Sequence, residues 1–95
     1  MYRIIQTRGF IKSLKRLKHS GVFHEQTSES LREIITALAS GEKLPAGCKD
    51  HQLKGELRNY RECHIKGDLL LVYQIQKEEL LLVLVDMGTH SYLGI

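Results

Sequence analysis

The 95-residue sequence holds little that would tie it together covalently or anchor it in a membrane. Its two cysteines, Cys48 and Cys63, are too few for a disulfide framework, and a reducing cytoplasm is the expected compartment. No long hydrophobic run is present. The most apolar stretches, Leu69–Val72 and Leu80–Val85, fall far short of the roughly 20 residues that cross a bilayer, and read as buried strands. The opening Met1-Tyr2-Arg3-Ile4-Ile5 goes straight into strand-like sequence, so no targeting segment is expected. Linkers, internal repeats and low-complexity segments are missing. So are a glycine-rich phosphate loop and a nucleophile-elbow motif. Cys48, His51, Cys63 and His64 lack the ligand spacing of a zinc finger. Adjacent strand residues such as Cys63 and His64 also point to opposite faces. Neither a metal nor another cofactor is expected. Acidic residues are absent before Glu25, whereas Arg3, Arg8, Lys12, Lys15, Arg16 and Lys18 precede it. That basic segment, in a chain of net charge +3, attracts polyanions or an acidic partner.

The composition, 42% hydrophobic and 26% charged, is that of a globular protein, and the length fits one domain, residues 1–95. Residues 2–6 read as a first strand, and Thr7 can cap the helix that follows. In that helix Phe10, Ile11, Leu14 and Leu17 make one apolar stripe, and Gly21 is a stop. A second helix is expected to start near Thr27 or Ser28. It carries the stripe Leu31, Ile34, Ile35 and Leu38, and Gly41 ends it. The polar, glycine-containing segment 41–57 reads as a loop bearing Asp50 and His51. Three strands follow: 59–65, 69–76 and 80–87. The first alternates, with Tyr60, Glu62 and His64 on one side and Arg61, Cys63 and Ile65 on the other. The second is apolar on both sides, as a covered central strand would be, with Tyr73 in the core. Short turns at Lys66-Gly67 and 77–79 make the three a meander. The order βααβββ predicts an α+β domain, a two-helix hairpin packed on a twisted, mainly antiparallel four-stranded sheet.

Within residues 50–90, Asp50, His51, His64, Asp68 and His90 are scattered among these strands. Histidine exchanges a proton near neutrality, its unperturbed pKa being about 6.5. Three histidines on or beside one sheet can supply acid, base and phosphate contacts together, as a metal-free ribonuclease requires. His19 and His24 lie around the helix hairpin and are assigned no role.

Lys49-Asp50-His51-Gln52-Leu53-Lys54-Gly55, Tyr60-Arg61-Glu62-Cys63-His64-Ile65, Asp68-Leu69-Leu70-Leu71-Val72-Tyr73 and Gly88-Thr89-His90, in this order and at these spacings, resemble the RelE/ParE superfamily of bacterial type II toxins, and its YafQ branch most closely. The resemblance runs over nearly the whole chain. It implies a RelE-like fold and a ribosome-dependent mRNA endonuclease that cleaves through attack of the substrate's 2′-hydroxyl. It also implies a cognate antitoxin, with operator DNA bound only through the antitoxin complex; the short apolar runs leave no membrane partner expected. The family's functional positions fall on His51, His64, Asp68 and His90. His90 is expected as general acid and Asp68 as base, directly or through a histidine. His51 and His64 are expected to bind phosphate or exchange the base role. Lys49, Lys54 and Arg61 are candidates to neutralise backbone phosphates, although Arg61 shares a side with Cys63 and Ile65 and can equally be a paired structural arginine. The basic first helix would face ribosomal RNA. Branch members carry aromatics where this chain has Leu69 and Gly94, and Tyr92 is the nearby ring that can stand in for base contact. Two alternatives belong to other classes: a ParE-like, non-enzymatic inhibitor of DNA gyrase, and a basic nucleic-acid- or protein-binding module.

Overall fold

A computed structural model describes residues 1–21 and 23–95. Strand β1, Arg3–Gln6, leads into helix α1, Arg8–His19. Thr7 makes that junction. Its hydroxyl oxygen accepts from the Phe10 N–H at 3.1 Å and its O–H donates to the Val85 carbonyl at 2.8 Å. One side chain thus caps a helix and fastens it to the sheet. On α1 the buried residues are Phe10, Ser13 and Leu17, with Leu14 partly covered. The expected stripe is narrower by one member, because Ile11 stays 39% exposed.

Helix α2 spans Glu25–Ala39, starting two to three residues before Thr27 or Ser28, where the sequence suggests it begins. His24 holds the cap position without a side-chain bond, and Glu25 in the first turn suits the positive end of the helix dipole. Thr27 is buried on the inner face rather than capping. Leu31, Ile34 and Leu38 pack inward as the periodicity predicts.

Among the described residues the sheet has five strands, in the order β1-β5-β4-β3-β2, one more than expected. The extra strand, β2, is His51–Gln52, inside the segment that reads as a loop. Two residues give no periodic signal, so only pairing with a neighbour defines it. The remaining strands are β3 Arg61–Lys66, β4 Leu69–Gln76 and β5 Leu81–Gly88. Strand β1 runs parallel to β5, and the other pairings are antiparallel. Both helices lie against one face of the sheet, α1 on β5 and α2 on β3. Their stripes meet Cys63, Ile65, Leu71, Tyr73, Leu82, Leu84 and Met87 in one core. Each fully buried leucine there contributes about 1.5–3 kcal/mol. After β5 the chain turns into a short helix α3, His90–Leu93.

Candidate active site

Period-two alternation sends one set of β3 side chains into the core and the other set to the far face. Cys63 and Ile65 are buried on the helix side, and Glu62 and His64 face away. Three further elements deliver polar side chains to that far face. Strand β2 pairs His51 opposite Glu62. The β3–β4 turn, with Gly67 at φ 57°, presents Asp68. Helix α3 begins at His90, its cap made by Thr89 accepting from the Tyr92 N–H at 3.1 Å. Gly88 makes this last turn feasible: a Cβ there would lie 2.5 Å from the Tyr92 ring.

His51, His64, Asp68 and His90 are gathered on one patch, and its centre is Glu62. The Glu62 side chain is only 4% exposed. Its Oε1 lies 3.5 Å from His51 Nε2 and 3.8 Å from His90 Nε2. His90 Nδ1 is 2.6 Å from Asp68 Oδ1. The His64 and His90 rings meet edge-on with centroids 5.9 Å apart.

The proton positions follow from the partners. A carbonyl oxygen only accepts, so a ring nitrogen facing one must be the donor. His51 Nδ1 donates to the Lys49 carbonyl at 2.7 Å, and His64 Nδ1 to the Gly67 carbonyl at 3.2 Å. His90 Nδ1 donates likewise to the Asp68 carboxylate. All three rings therefore carry Nδ1–H, and their Nε2 atoms are left for chemistry. Each Nε2 accepts a proton when the ring is neutral and gives one when it is charged. A nearly buried carboxylate is tolerated only with donors or cations at hand, and the imidazoles of His51 and His90 are the groups beside Glu62. One Glu62 oxygen, one His64 nitrogen and one His90 nitrogen lie within 4.8 Å of one another, a donor set able to hold a single divalent transition metal.

Other expected site residues stand apart from this patch. Lys49 contributes its backbone carbonyl, from a left-handed conformation of φ 50°. Lys54 is exposed at the start of a short turn. Arg61 is directed away from the imidazoles: its guanidinium binds Asp50, at 3.3 Å from both carboxylate oxygens, and the Tyr73 hydroxyl at 3.3 Å. Burial works against the Arg61 charge, but the bonds to Tyr73 and Asp50 raise its pKa above the ordinary arginine value. Tyr92 fixes α3 to α1, its hydroxyl 3.1 Å from Ser13 Oγ and its ring 4.1 Å beneath the Arg16 guanidinium. Cys63, pushed up to about 12 by burial first and by Asp50 next, is a neutral thiol on the core side. It cannot share an ion with His64.

Glu62 is the residue that sequence reasoning left without a role. Its place beside His64 on the alternating strand was the available signal. Its burial was not readable, because that depends on β2 and α3 closing over it.

A small α+β domain whose sheet gathers three Nδ1-protonated imidazoles and two carboxylates on the face opposite α1 and α2 belongs to a class of compact toxins. The model of the family described as bacterial toxin of type II toxin–antitoxin system, YafQ, matches residues 2–94. The chain belongs to that family. A metal-bound toxin from Helicobacter pylori superposes with a TM-score of 0.86 at 44% identity, covering 98% of this chain and 99% of that one. YafQ in the Escherichia coli DinJ–YafQ complex superposes with a TM-score of 0.83 at 28% identity, covering 98% of each chain. The mRNA interferase toxin YafQ of E. coli K12 is 36% identical over 64 residues, 66% of this chain and 67% of that protein. Among the curated relatives the shared sequence spans from 30% to 67% of the relative's length.

Proposed function

We propose that this protein is the toxin of a type II toxin–antitoxin pair, a ribosome-dependent mRNA endonuclease working by acid–base catalysis. The single observation carrying the reading is the convergence of the His51 and His90 Nε2 atoms on Glu62, with His64 alongside and every Nδ1 already committed. Cleavage of an RNA linkage needs a base to take the 2′-hydroxyl proton. The oxygen then attacks phosphorus, and an acid protonates the leaving 5′-oxygen. The products are a 2′,3′-cyclic phosphate and a 5′-hydroxyl. DNA lacks the attacking group and is not cut.

His90 serves as the acid. Asp68 holds its Nδ1–H, so the proton it delivers leaves from Nε2, and the carboxylate balances the imidazolium charge before delivery. Asp68 thus acts through His90. His51 and His64 offer Nε2 lone pairs: one takes the 2′-hydroxyl proton, and the other, protonated, holds the phosphate. The exposed cations of α1, Arg8, Lys12, Lys15 and Lys18, face ribosomal RNA, and the ribosome orients the message over the patch. The partner is a cognate antitoxin with an acidic segment that orders on binding, as the DinJ–YafQ complex of the relative suggests, and operator DNA is reached only through that complex. No helix among the described residues is long and apolar enough to cross a membrane, and the cytoplasm is the compartment we infer.

The Glu62–His64–His90 donor set favours a second reading of the same patch, as a site for a divalent transition metal. A metal there ties up the Nε2 lone pairs, so metal binding and acid–base cleavage compete.

The test is induction of the protein without antitoxin, with message ends mapped on translated and untranslated transcripts. In-frame cuts carrying cyclic-phosphate ends, abolished by His90→Ala together with toxicity, are expected. Undiminished toxicity in His90→Ala, with altered DNA supercoiling and intact message, would establish the gyrase-inhibitor alternative instead.

A further inference from the structure

We propose that Asp50, Arg61 and Tyr73 form a positioning unit that sets His51 from the opposite face of the sheet. His51 has a weak local anchor. Its strand is two residues long, lies at the sheet edge, and is exposed. A ladder of two pairs, His51 with Glu62 and Gln52 with Arg61, does not by itself hold a side chain to a few tenths of an ångström. The residue just before it is held far better. The Tyr73 hydroxyl donates to Asp50 Oδ1 at 2.5 Å. Arg61 Nε reaches the same oxygen at 3.3 Å, and an Arg61 terminal nitrogen reaches Oδ2 at 3.3 Å. Arg61 Nε also approaches the Tyr73 oxygen at 3.3 Å, closing a triangle.

The triangle is rooted in the centre of the fold. Tyr73 is wholly buried on β4, and Arg61 is its register partner on β3. Burial, with the hydrogen bond to Asp50, raises the Tyr73 pKa far above that of a free phenol, so it stays a donor. Charge-assisted bonds of this kind are about twice as strong as neutral ones. Asp50 and His51 are consecutive, yet the Asp50 carboxylate meets Arg61 and Tyr73 on the helix side while the His51 ring meets Glu62 on the far side. Clamping the Asp50 carboxylate to the central strands fixes the His51 backbone, and the Lys49 carbonyl then fixes the ring. The phosphate role expected for Arg61 is replaced by this one, and Asp50 gains a role of its own.

The inference rests on the nuclease reading only for its activity readout. In a double-mutant cycle on cleavage, Asp50→Ala is expected to lower the rate at saturating substrate about 10-fold with KM within about two-fold, since small misplacements of a reacting group are costly. In a His51→Ala background the same change should cost less than about two-fold, because the group it positions is gone. Asp50→Asn, which keeps an acceptor for Tyr73, should recover part of the loss. Independently, nitrogen-resolved NMR of His51 should show Nδ1–H in the parent and a tautomer mixture in Asp50→Ala. If Asp50→Ala does not fold, Tyr73→Phe removes one bond to the same carboxylate and replaces it in both arms. Additive losses in the cycle, or an unchanged His51 spectrum, overturn the proposal. A parent that cuts no RNA defeats the nuclease reading alone, and the NMR arm still decides the positioning role.

Discussion

The two faces of the central strands are built from alternate residues of the same segments, yet they solve different problems. On the helix side, Cys63, Leu71 and Tyr73 are completely buried, and the charges there, Asp50 and Arg61, neutralise each other. On the far side, Glu62 is just as hidden, but the His51 and His90 rings that touch it are each about half exposed. One face uses its polar groups up in fixed contacts. The other holds the Nε2 atoms of His51 and His90 around one carboxylate at the edge of solvent. The proposed chemistry uses only the second face, and a single strand, β3, serves both because a pleat separates them.

The sharpest way to break this division is at His90. Its ring packs little against the core, so His90→Ala should lower cleavage about 10²–10⁴-fold, the usual range for losing an acid–base group, with the unfolding midpoint unchanged. Assays of cleavage and thermal unfolding on one preparation check both halves. A large loss of stability would mean the faces are not separable.

The converse substitution is Leu71→Ala on the helix side. Emptying a fully buried leucine site should cost about 2–5 kcal/mol of folding free energy, read by denaturant unfolding. The protein that remains folded should cleave at near the parent rate per native molecule.

Much of this division was legible beforehand. The apolar stripes of α1 and α2, the meander, and the alternation of β3 all follow from local periodicity, which is where sequence is most direct. The opposition of Arg61 to His64 was also readable, since it needs only a strand. What could not be read is contact across chain-distant segments. Asp50 finds Arg61 and Tyr73 through the register of a two-residue strand, and Glu62 is buried by residues on β2 and α3. A tail of ordinary composition becomes the carrier of His90 only because Gly88 lets the Tyr92 ring pack against the backbone. The distribution of charge likewise said nothing about which cations would be consumed internally.

A third test sharpens the far face itself. Glu62→Gln keeps the shape and removes the charge that lies against two imidazoles. Cleavage should fall by about 10-fold, as the rings lose a partner for their protonated form. Divalent copper or zinc added to the parent should also slow cleavage, by occupying Nε2 atoms of the same set, and a chelator should restore it. In Glu62→Gln the metal should inhibit at higher concentration, because one of three ligands is weakened. Inhibition that is identical in both proteins would remove Glu62 from the metal site.

The smallest expected effect comes from a thiol on the helix side. Cys63 is fully buried, and its pKa stands at about 12, where the ordinary thiol value is 9.0. The unfolded chain therefore loses this proton first. The stabilisation is intact below about pH 9 and is lost progressively as pH rises toward the folded-state value. By about pH 10 the loss should reach about 1 kcal/mol. Cys63→Ala lacks the titration, so its stability should fall less steeply over the same window, although it starts lower because of the cavity it leaves. Urea unfolding of both proteins at about pH 8 and about pH 10 measures the difference in slope. Equal slopes would mean that the thiol ionises as freely in the fold as outside it, and that the core beside Asp50 is wetter than the geometry of this face implies.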